Sequence, residues 1–327
     1  MKSNQSRNPL ISVVMPVYNR INYVDEAVAS ILNQTHTNFE LILADDGSTD
    51  GSVGRIGQYA RQDGRIRPVC LPHQGLPRTL NAVIPMARGP FIAFMDSDDV
   101  ALPDRLQVQL EWMQEKEIDL CGAQVETFGG ETDLLDVKDG IARLPASHAV
   151  IVREMLFQIP LFRSALMFKA KVARENPFDE TMKCTDCEWP YRVVQKCVTG
   201  NVPRVLLKAR RHGQNTTTVN YARHRIDATR SHFKYFYNLY PRTPLPEYLA
   251  LCRVIDQVPM TCLDELEYAG RWLVKLAGYP DEALQNRMAR RWRGACERSM
   301  GLGEGVKEIS RRFELELERI GNRLMPK

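Results

Sequence analysis

Two hydrophobic periods alternate along the first half of the chain. Compact apolar runs of five to eight residues, "ISVVMPV" (Ile11–Val17), "FELILA" (Phe39–Ala44), "IRPVC" (Ile66–Cys70), "FIAFM" (Phe91–Met95) and "IDLCGAQV" (Ile118–Val125), end in turn residues and predict buried strands. Between them apolar residues recur at helical spacing. Ile21, Val24, Val28, Ile31 and Leu32 form one such face, with Asn19 or Asn22 placed to cap it. A second helix is expected to end near Gln62, and a third runs from Pro77 to Ala87 with Gly89 as its stop. Pro103 stands where a first-turn proline belongs and opens "PDRLQVQLEWMQEK". Repeated β-α-β units of this kind predict an α/β fold, a Rossmann-like, mostly parallel sheet flanked by helices.

The pattern weakens from Phe128 to Val150, which reads as loop and short strand. "LFRSALMFKA" (Leu161–Ala170) reads as another strand, and Glu188–Val198 as a helix stopped by Gly200. Beyond about Tyr221 the alternation gives way to helical periodicity. The expected organisation is therefore an α/β domain over 1–220 and a helical C-terminal extension over 221–327.

Composition narrows the class. Of 327 residues 44% are hydrophobic and 26% charged, values that permit a sizeable core and exclude wholesale disorder. A net charge of +4 gives nucleic acid no support as a partner. No apolar run approaches the roughly 20 residues of a spanning helix, and "MKSNQSRNPL" has no apolar signal core, so a cytoplasmic location without a transmembrane segment is expected. Most of the eight cysteines are scattered singly; Cys184 and Cys187 alone form a CxxC pair. Without a second pair or nearby histidines the pair lacks the four ligands of a zinc site.

Charge is concentrated where the strands stop. "FIAFM" breaks into Asp96, Ser97, Asp98 and Asp99, three carboxylates within four residues. Alternate residues leaving a strand can aim two carboxylates into one space, where a divalent cation is the usual compensation. The other reading is a solvated turn, with Asp99 capping the helix at Pro103. "FELILA" likewise ends in "DDGSTDGS", either a nucleotide-contacting loop or a plain turn. In such sheets ligands bind beyond the carboxyl ends of the strands, which places both acidic loops in one crevice.

These segments together resemble the family 2 inverting glycosyltransferases with the GT-A fold. The resemblance is carried by "SVVMPVYNR", "FELILADDGSTDGS", "GLPRTLNAVIPMARGPFIAFMDSDDVALPDRLQVQ", "CTDCEW" and "RRHGQN", and spans about Ile11 to Thr218. It implies a nucleotide-sugar donor, a UDP-sugar by preference, and a Mn²⁺ or Mg²⁺ cofactor. Pro16, Tyr18, Asn19, Asp45, Asp46, Arg78, Asp96 and Ser97 would then bind the nucleotide, with Asp46 on the base and Asp96 at the ribose or metal. Asp98 would be the direct metal ligand, with His212 completing the metal or diphosphate site and Arg210 or Arg211 pairing with the diphosphate. The family's base is the aspartate of an "ED"-like pair at a helix start. Asp186 matches it, although Thr185 stands where the glutamate would be, and Glu188 is the fallback.

The acceptor implied is a carbohydrate or lipid-linked hydroxyl, in surface polysaccharide or lipopolysaccharide synthesis. Two other classes compete: a metal-dependent nucleotidyltransferase, which lacks a Gly-rich lysine-bearing loop, and a sugar-nucleotide-binding protein without turnover. The basic C-terminal segment with Trp292, Phe313, Leu315 and Leu317 reads either as a peripheral contact with the inner membrane face or as helices that pack or face solvent.

Overall fold

The structure, a computed structural model, describes residues 8–130, 137–138, 140–213, 221–255, 258–277 and 282–324. The chain divides into two compact units, Met1–Met155 with Ile159–Tyr235, and Leu156–Gln158 with Phe236–Lys327.

The first unit is built on β1 (Ile11–Val17), β2 (Phe39–Asp46), β3 (Ile66–Leu71), β4 (Phe91–Phe94), β5 (Val100–Ala101), β6 (Leu120–Phe128), β7 (Val137–Lys138), β8 (Ile141–Ala142), β9 (Met167–Lys169) and β10 (Thr199–Arg210). Their order is β3-β2-β1-β4-β9-β6-β10-β5, with β8 on β6 and β7 on β8. The first four strands are all parallel, as the β-α-β pattern requires. Beyond β4 the sheet is mixed: β9 is antiparallel to both β4 and β6, β6 and β10 are parallel, and β5 returns antiparallel on β10. Every residue of β2 is buried, because helices cover a parallel sheet on both faces.

The helices of this unit are α1 (Val24–Leu32), α2 (Ser52–Gln62), α3 (Leu76–Val83), α4 (Arg105–Glu115), α5 (His148–Glu154), α6 (Ala170–Glu175), α7 (Thr185–Val193) and most of α8 (Tyr221–Leu239). Helix α1 puts Val24, Ala27, Val28 and Ile31 into a core shared with Val13, Met15, Leu41 and Leu43. Val24, Val28 and Ile31 belong to the face the spacing predicted, whereas Ile21 lies before the helix and is exposed.

Local expectations shift at several places: the helix expected over Glu188–Val198 runs over Thr185–Val193, and Gly200 lies inside β10 and does not act as its stop. Pro16 lies inside β1, opposite Ala44 in the register with β2. Asn19 does not cap α1, whose first-turn neighbour is Tyr23; it takes a left-handed φ of 51°, which asparagine tolerates, and ties the β1 end to the β2 loop. Helix α4 starts at Arg105 with Asp104 before it, so Asp99 is not its cap. Only Met167–Lys169 of "LFRSALMFKA" is strand; Arg163–Ala165 is a 3₁₀ turn and Ala170 already opens α6. There the buried Ser164 hydroxyl accepts the Asp96 N–H at 3.0 Å, a bond that an extended ladder would not make.

The second unit contains α9 (Leu245–Ile255), α10 (Leu263–Ala277), α11 (Glu282–Arg298) and α12 (Gly305–Leu324). Phe236, Tyr248 and Trp272 form its aromatic core, with ring centroids 4.9 Å and 5.2 Å from Phe236. Trp292 is fully buried and meets Phe313 edge-on at 5.4 Å. A Cβ on Gly270 would lie 2.4 Å from the Phe313 ring, so α10 and α12 approach closely only because this residue is glycine. The two aromatics that a membrane-facing segment would need are therefore core residues, while Leu315 is exposed. The Leu317 side chain lies outside the described set. Among the described residues no helix is long and apolar enough to cross a membrane.

Candidate active site

The site is built at the carboxyl ends of β1, β2 and β4. One oxygen from each of Asp96, Asp98 and Asp99 falls within 4.8 Å of the others. Such crowding of like charge requires compensation, and side chains from distant segments supply it. Arg20, just beyond β1, donates from Nε to Asp98 Oδ2 at 3.2 Å. His212, 114 residues later, places Nε2 3.1 Å from the same oxygen, and its ring stacks on Tyr23 at 4.5 Å. Asp99 Oδ1 accepts the Arg210 N–H at 2.9 Å. The Arg210 guanidinium is held by the Asp98 carbonyl at 3.0 Å, by Glu26 and by the Phe128 ring.

Asp96 is bound by Arg163, with Nη2 2.9 Å from Oδ2 and Nη1 2.6 Å from Oδ1. The same guanidinium donates from Nε to Asp186 Oδ1 at 2.5 Å. Asp186 sits in the first turn of α7, where acidic residues are favoured. Its Oδ1 also receives the Thr185 hydroxyl at 3.3 Å. No described residue bonds to Oδ2, and the side chain is 48% exposed, so one carboxylate oxygen is open to an incoming hydroxyl. The start of α7 is pinned by buried Asp227, whose Oδ2 accepts the Lys183 N–H at 2.6 Å and the Cys184 N–H at 3.4 Å. Cys184 and Cys187 are paired across Thr185 and Asp186 at the start of α7. Glu188 is taken by Arg192 one turn on, at 2.7 Å.

The first acidic loop is satisfied differently. Asp46 is buried and accepts from the N–H groups of Gln74 at 2.9 Å and Gly75 at 3.0 Å and from the Thr79 hydroxyl at 2.8 Å. His73 Nδ1 lies 2.9 Å from Oδ2, the oxygen that also takes the Gly75 N–H. Asp45 Oδ2 accepts the N–H groups of Gly47 and Ser48 at 2.9 Å and 3.0 Å, leaving Oδ1 buried without a partner. Gly47 has φ of 74°, and a Cβ there would stand 2.6 Å from the His73 nitrogen. Asn19 joins this loop through Thr49 N–H at 2.8 Å. Tyr18 is exposed and stacks on His73 with centroids 4.1 Å apart.

Burial sets the electrostatics. It pushes the Asp96 carboxyl up to about 6 against the pull of Arg163, with Asp98 and Asp186 adding to the rise. Burial beside Asp96 and Asp98 pushes Asp99 up to about 8. Beneath them the fully buried Arg105 donates to the carbonyl of Phe94 at 2.8 Å and closes the end of β4; burial brings its own pKa down to about 10.

Of the residues singled out by sequence, the structure gathers Asp96, Asp98, Asp186 and His212 into one network, and Tyr18, Asn19, Asp45 and Asp46 into its neighbour. Arg20 links the two, donating to the carbonyls of Tyr18 and Asn19 at 3.3 Å and 3.1 Å while holding Asp98. Ser97 is buried within the acidic loop. Arg78 stands apart, exposed on α3 and paired with Glu180 at 3.2 Å. Arg211 lies over the Phe162 ring at 6.0 Å. Sequence reasoning missed Arg20 and Arg163. Arg20 ends the quoted "VYNR" segment; Arg163 gave no signal, since one arginine in an apolar run reads as a strand residue.

A β-α-β sheet, parallel through its first four strands, with acidic strand ends and a cluster of carboxylate oxygens is an α/β architecture of the GT-A type. The model of "Glycosyl transferase family 2" matches residues 12–174, and through this half of its length the chain belongs to that family. An uncharacterized glycosyltransferase of Rickettsia felis is 30% identical over 210 residues, 63% of this chain and 34% of that protein. The chain thus spans about a third of the length of the Rickettsia relatives it matches. S. aureus TarS 1-349 in complex with UDP-GlcNAc superposes with a TM-score of 0.53 at 15% identity, over 96% of this chain and 90% of that one. The mannosyltransferase PcManGT of Pyrobaculum calidifontis, in complex with GDP-Man and Mn²⁺, gives 0.54 at 15% identity, over 96% and 87%. At that identity the two structures speak to the fold alone.

Proposed function

We propose that the protein is an inverting glycosyltransferase that moves a sugar from a nucleotide-sugar, by preference a UDP-sugar, to an acceptor hydroxyl. The observation that supports this most is the convergence of Asp96, Asp98 and Asp99 within 4.8 Å, with His212 drawn onto Asp98 from 114 residues away. Family membership supports the reaction type, and the UDP preference rests on the sequence resemblance.

The nucleotide would lie across the ends of β1 and β2. Tyr18 offers the exposed ring that a base stacks on. One oxygen each from Asp96, Asp98 and Asp99 converges within 4.8 Å, and carboxylate oxygens are hard donors of the kind that suit Mn²⁺ or Mg²⁺, so the residues fit such an ion. Bound there, it would supply electrostatic stabilisation to the departing diphosphate.

Asp186 acts as the general base. Its open Oδ2 takes the acceptor hydroxyl proton while that oxygen forms a bond to the anomeric carbon. The bond from that carbon to the diphosphate oxygen breaks, and the electron pair leaves with the nucleoside diphosphate. Attack opposite the leaving group inverts the anomeric centre. The acceptor is a carbohydrate or lipid-linked hydroxyl, and the product class a surface polysaccharide or lipopolysaccharide.

The test is a nucleoside diphosphate panel read by thermal shift with and without Mn²⁺, for the native chain and Asp98→Ala, followed by a UDP-sugar screen with the product anomer assigned by NMR. A Mn²⁺-dependent, UDP-selective shift that disappears in Asp98→Ala, then an inverted product, is expected. Stabilisation by no nucleotide sinks the donor site; a retained anomer sinks the role of Asp186.

A further inference from the structure

We propose that Arg163 is a positioning residue for the transfer step: it holds the base Asp186 and the donor-side carboxylate Asp96 in one fixed geometry. This rests on the glycosyltransferase reading above.

The placement is specific. Arg163 is 12% exposed and bridges two carboxylates carried by separate elements, one beyond β4 and one in the first turn of α7. Its fork uses Nε on Asp186 Oδ1 at 2.5 Å and Nη2 on Asp96 Oδ2 at 2.9 Å. The backbone beneath it is equally constrained. Leu166 N–H closes the 3₁₀ turn onto the Arg163 carbonyl at 3.0 Å, and Ser164 accepts the Asp96 N–H at 3.0 Å. One turn therefore fixes both the main chain and the side chain of Asp96.

Asp186 has little else to orient it. Among the described residues its remaining contact is the Thr185 hydroxyl at 3.3 Å, on the same oxygen. Occupying Oδ1 leaves Oδ2 as the oxygen that meets the acceptor, and a planar guanidinium restricts rotation of the carboxylate in a way a lysine ammonium does not. The bridge also offsets the repulsion between two carboxylates that must approach a common substrate. Arg163 need not touch the reacting atoms; it acts through Asp186, from the side opposite the open oxygen.

A double-mutant cycle separates this role from a merely structural ion pair. Native enzyme, Arg163→Ala, Asp186→Asn and the double variant are compared for kcat and donor KM, with thermal melts to confirm folding. Arg163→Ala is expected to lower kcat about 100-fold, within the range for loss of a positioned base, with donor KM changed less than about 5-fold. On the Asp186→Asn background the same change should alter kcat by less than about 3-fold, because the residue it acts through is gone. Added guanidinium should restore part of the Arg163→Ala activity and none of the double variant's. If Arg163→Ala does not fold, Arg163→Lys carries the cycle, with a smaller loss in the same direction.

Additive losses in the cycle, or an unchanged kcat, overturn the assignment to Arg163 while leaving the transferase reading intact. Absence of turnover by the native chain with every donor overturns both.

Discussion

The two acidic strand ends of this protein are close in sequence style and opposite in construction. Asp45 and Asp46 are met largely by backbone: Gly47, Ser48, Gln74 and Gly75 all donate main-chain N–H groups to them. Asp96, Asp98 and Asp99 are met largely by cationic or titratable side chains, Arg163, Arg20 and His212, with one main-chain N–H from Arg210. Backbone donors cannot leave, so the first loop is a scaffold whose carboxylates shape it. Side chains from distant segments compensate the second loop, so its charge balance depends on tertiary contacts. The difference separates carboxylates closed by the main chain from carboxylates compensated by distant side chains.

The comparison breaks most sharply at the working end. Asp186→Asn should reduce transfer by about 1,000-fold while nucleotide-induced thermal shifts persist; a loss of both together would place Asp186 in the scaffold class. Next is Asp46→Ala, which leaves the buried N–H groups of Gln74 and Gly75 without their acceptor. A loss of about 2–3 kcal/mol in urea unfolding is expected, and Gly47→Ala, forced into a left-handed φ against His73, should cost about 1–3 kcal/mol in the same assay.

The opposite sign is expected at Asp99. Its folded pKa of about 8 lies above the ordinary 3.8, so the folded state holds the proton more tightly than the unfolded one. The stability this contributes is complete below 3.8, falls as pH rises, and is lost once pH passes about 8. Asp99→Asn removes that decline, so without added metal the variant should match the native melting temperature near pH 4 and exceed it increasingly up to pH 8. Equal melting temperatures throughout would mean that Asp99 carries no such strain. The smallest effect is expected for His73→Ala: losing the stack on Tyr18 should shift stability by about 0.5–1.5 kcal/mol and leave the Tyr18 face open, measured as a change in nucleotide affinity.

Much of the site was legible because its signals are local. Three carboxylates directly after an apolar run mark a strand end under strain, whatever follows in the chain. Asp186 and His212 were legible only by resemblance, since an aspartate before a helix and a lone histidine each have ordinary structural uses. Arg163 was not legible at all. Its neighbours Leu161, Phe162, Ala165 and Leu166 make a convincing strand, and what turns the segment into a 3₁₀ turn is a bond to Asp96, 68 residues away. The mixed half of the sheet was hidden for the same reason: hydrophobic alternation is identical for parallel and antiparallel neighbours, so the reversal of β9 leaves no mark in the pattern.

The sequence by itself determined the β-α-β core, the helical character of the C-terminal third and the family, because periodicity and turn residues act within a few positions of one another. Tertiary structure alone decided which carboxylates are closed and which are open. It turned Asp46 into a backbone acceptor, paired Asp98 with Arg20 and His212, and tied Asp96 to Asp186 through one guanidinium. Those choices rest on contacts 23 to 114 residues apart, and electrostatic pairing at that separation leaves no periodic trace in the chain.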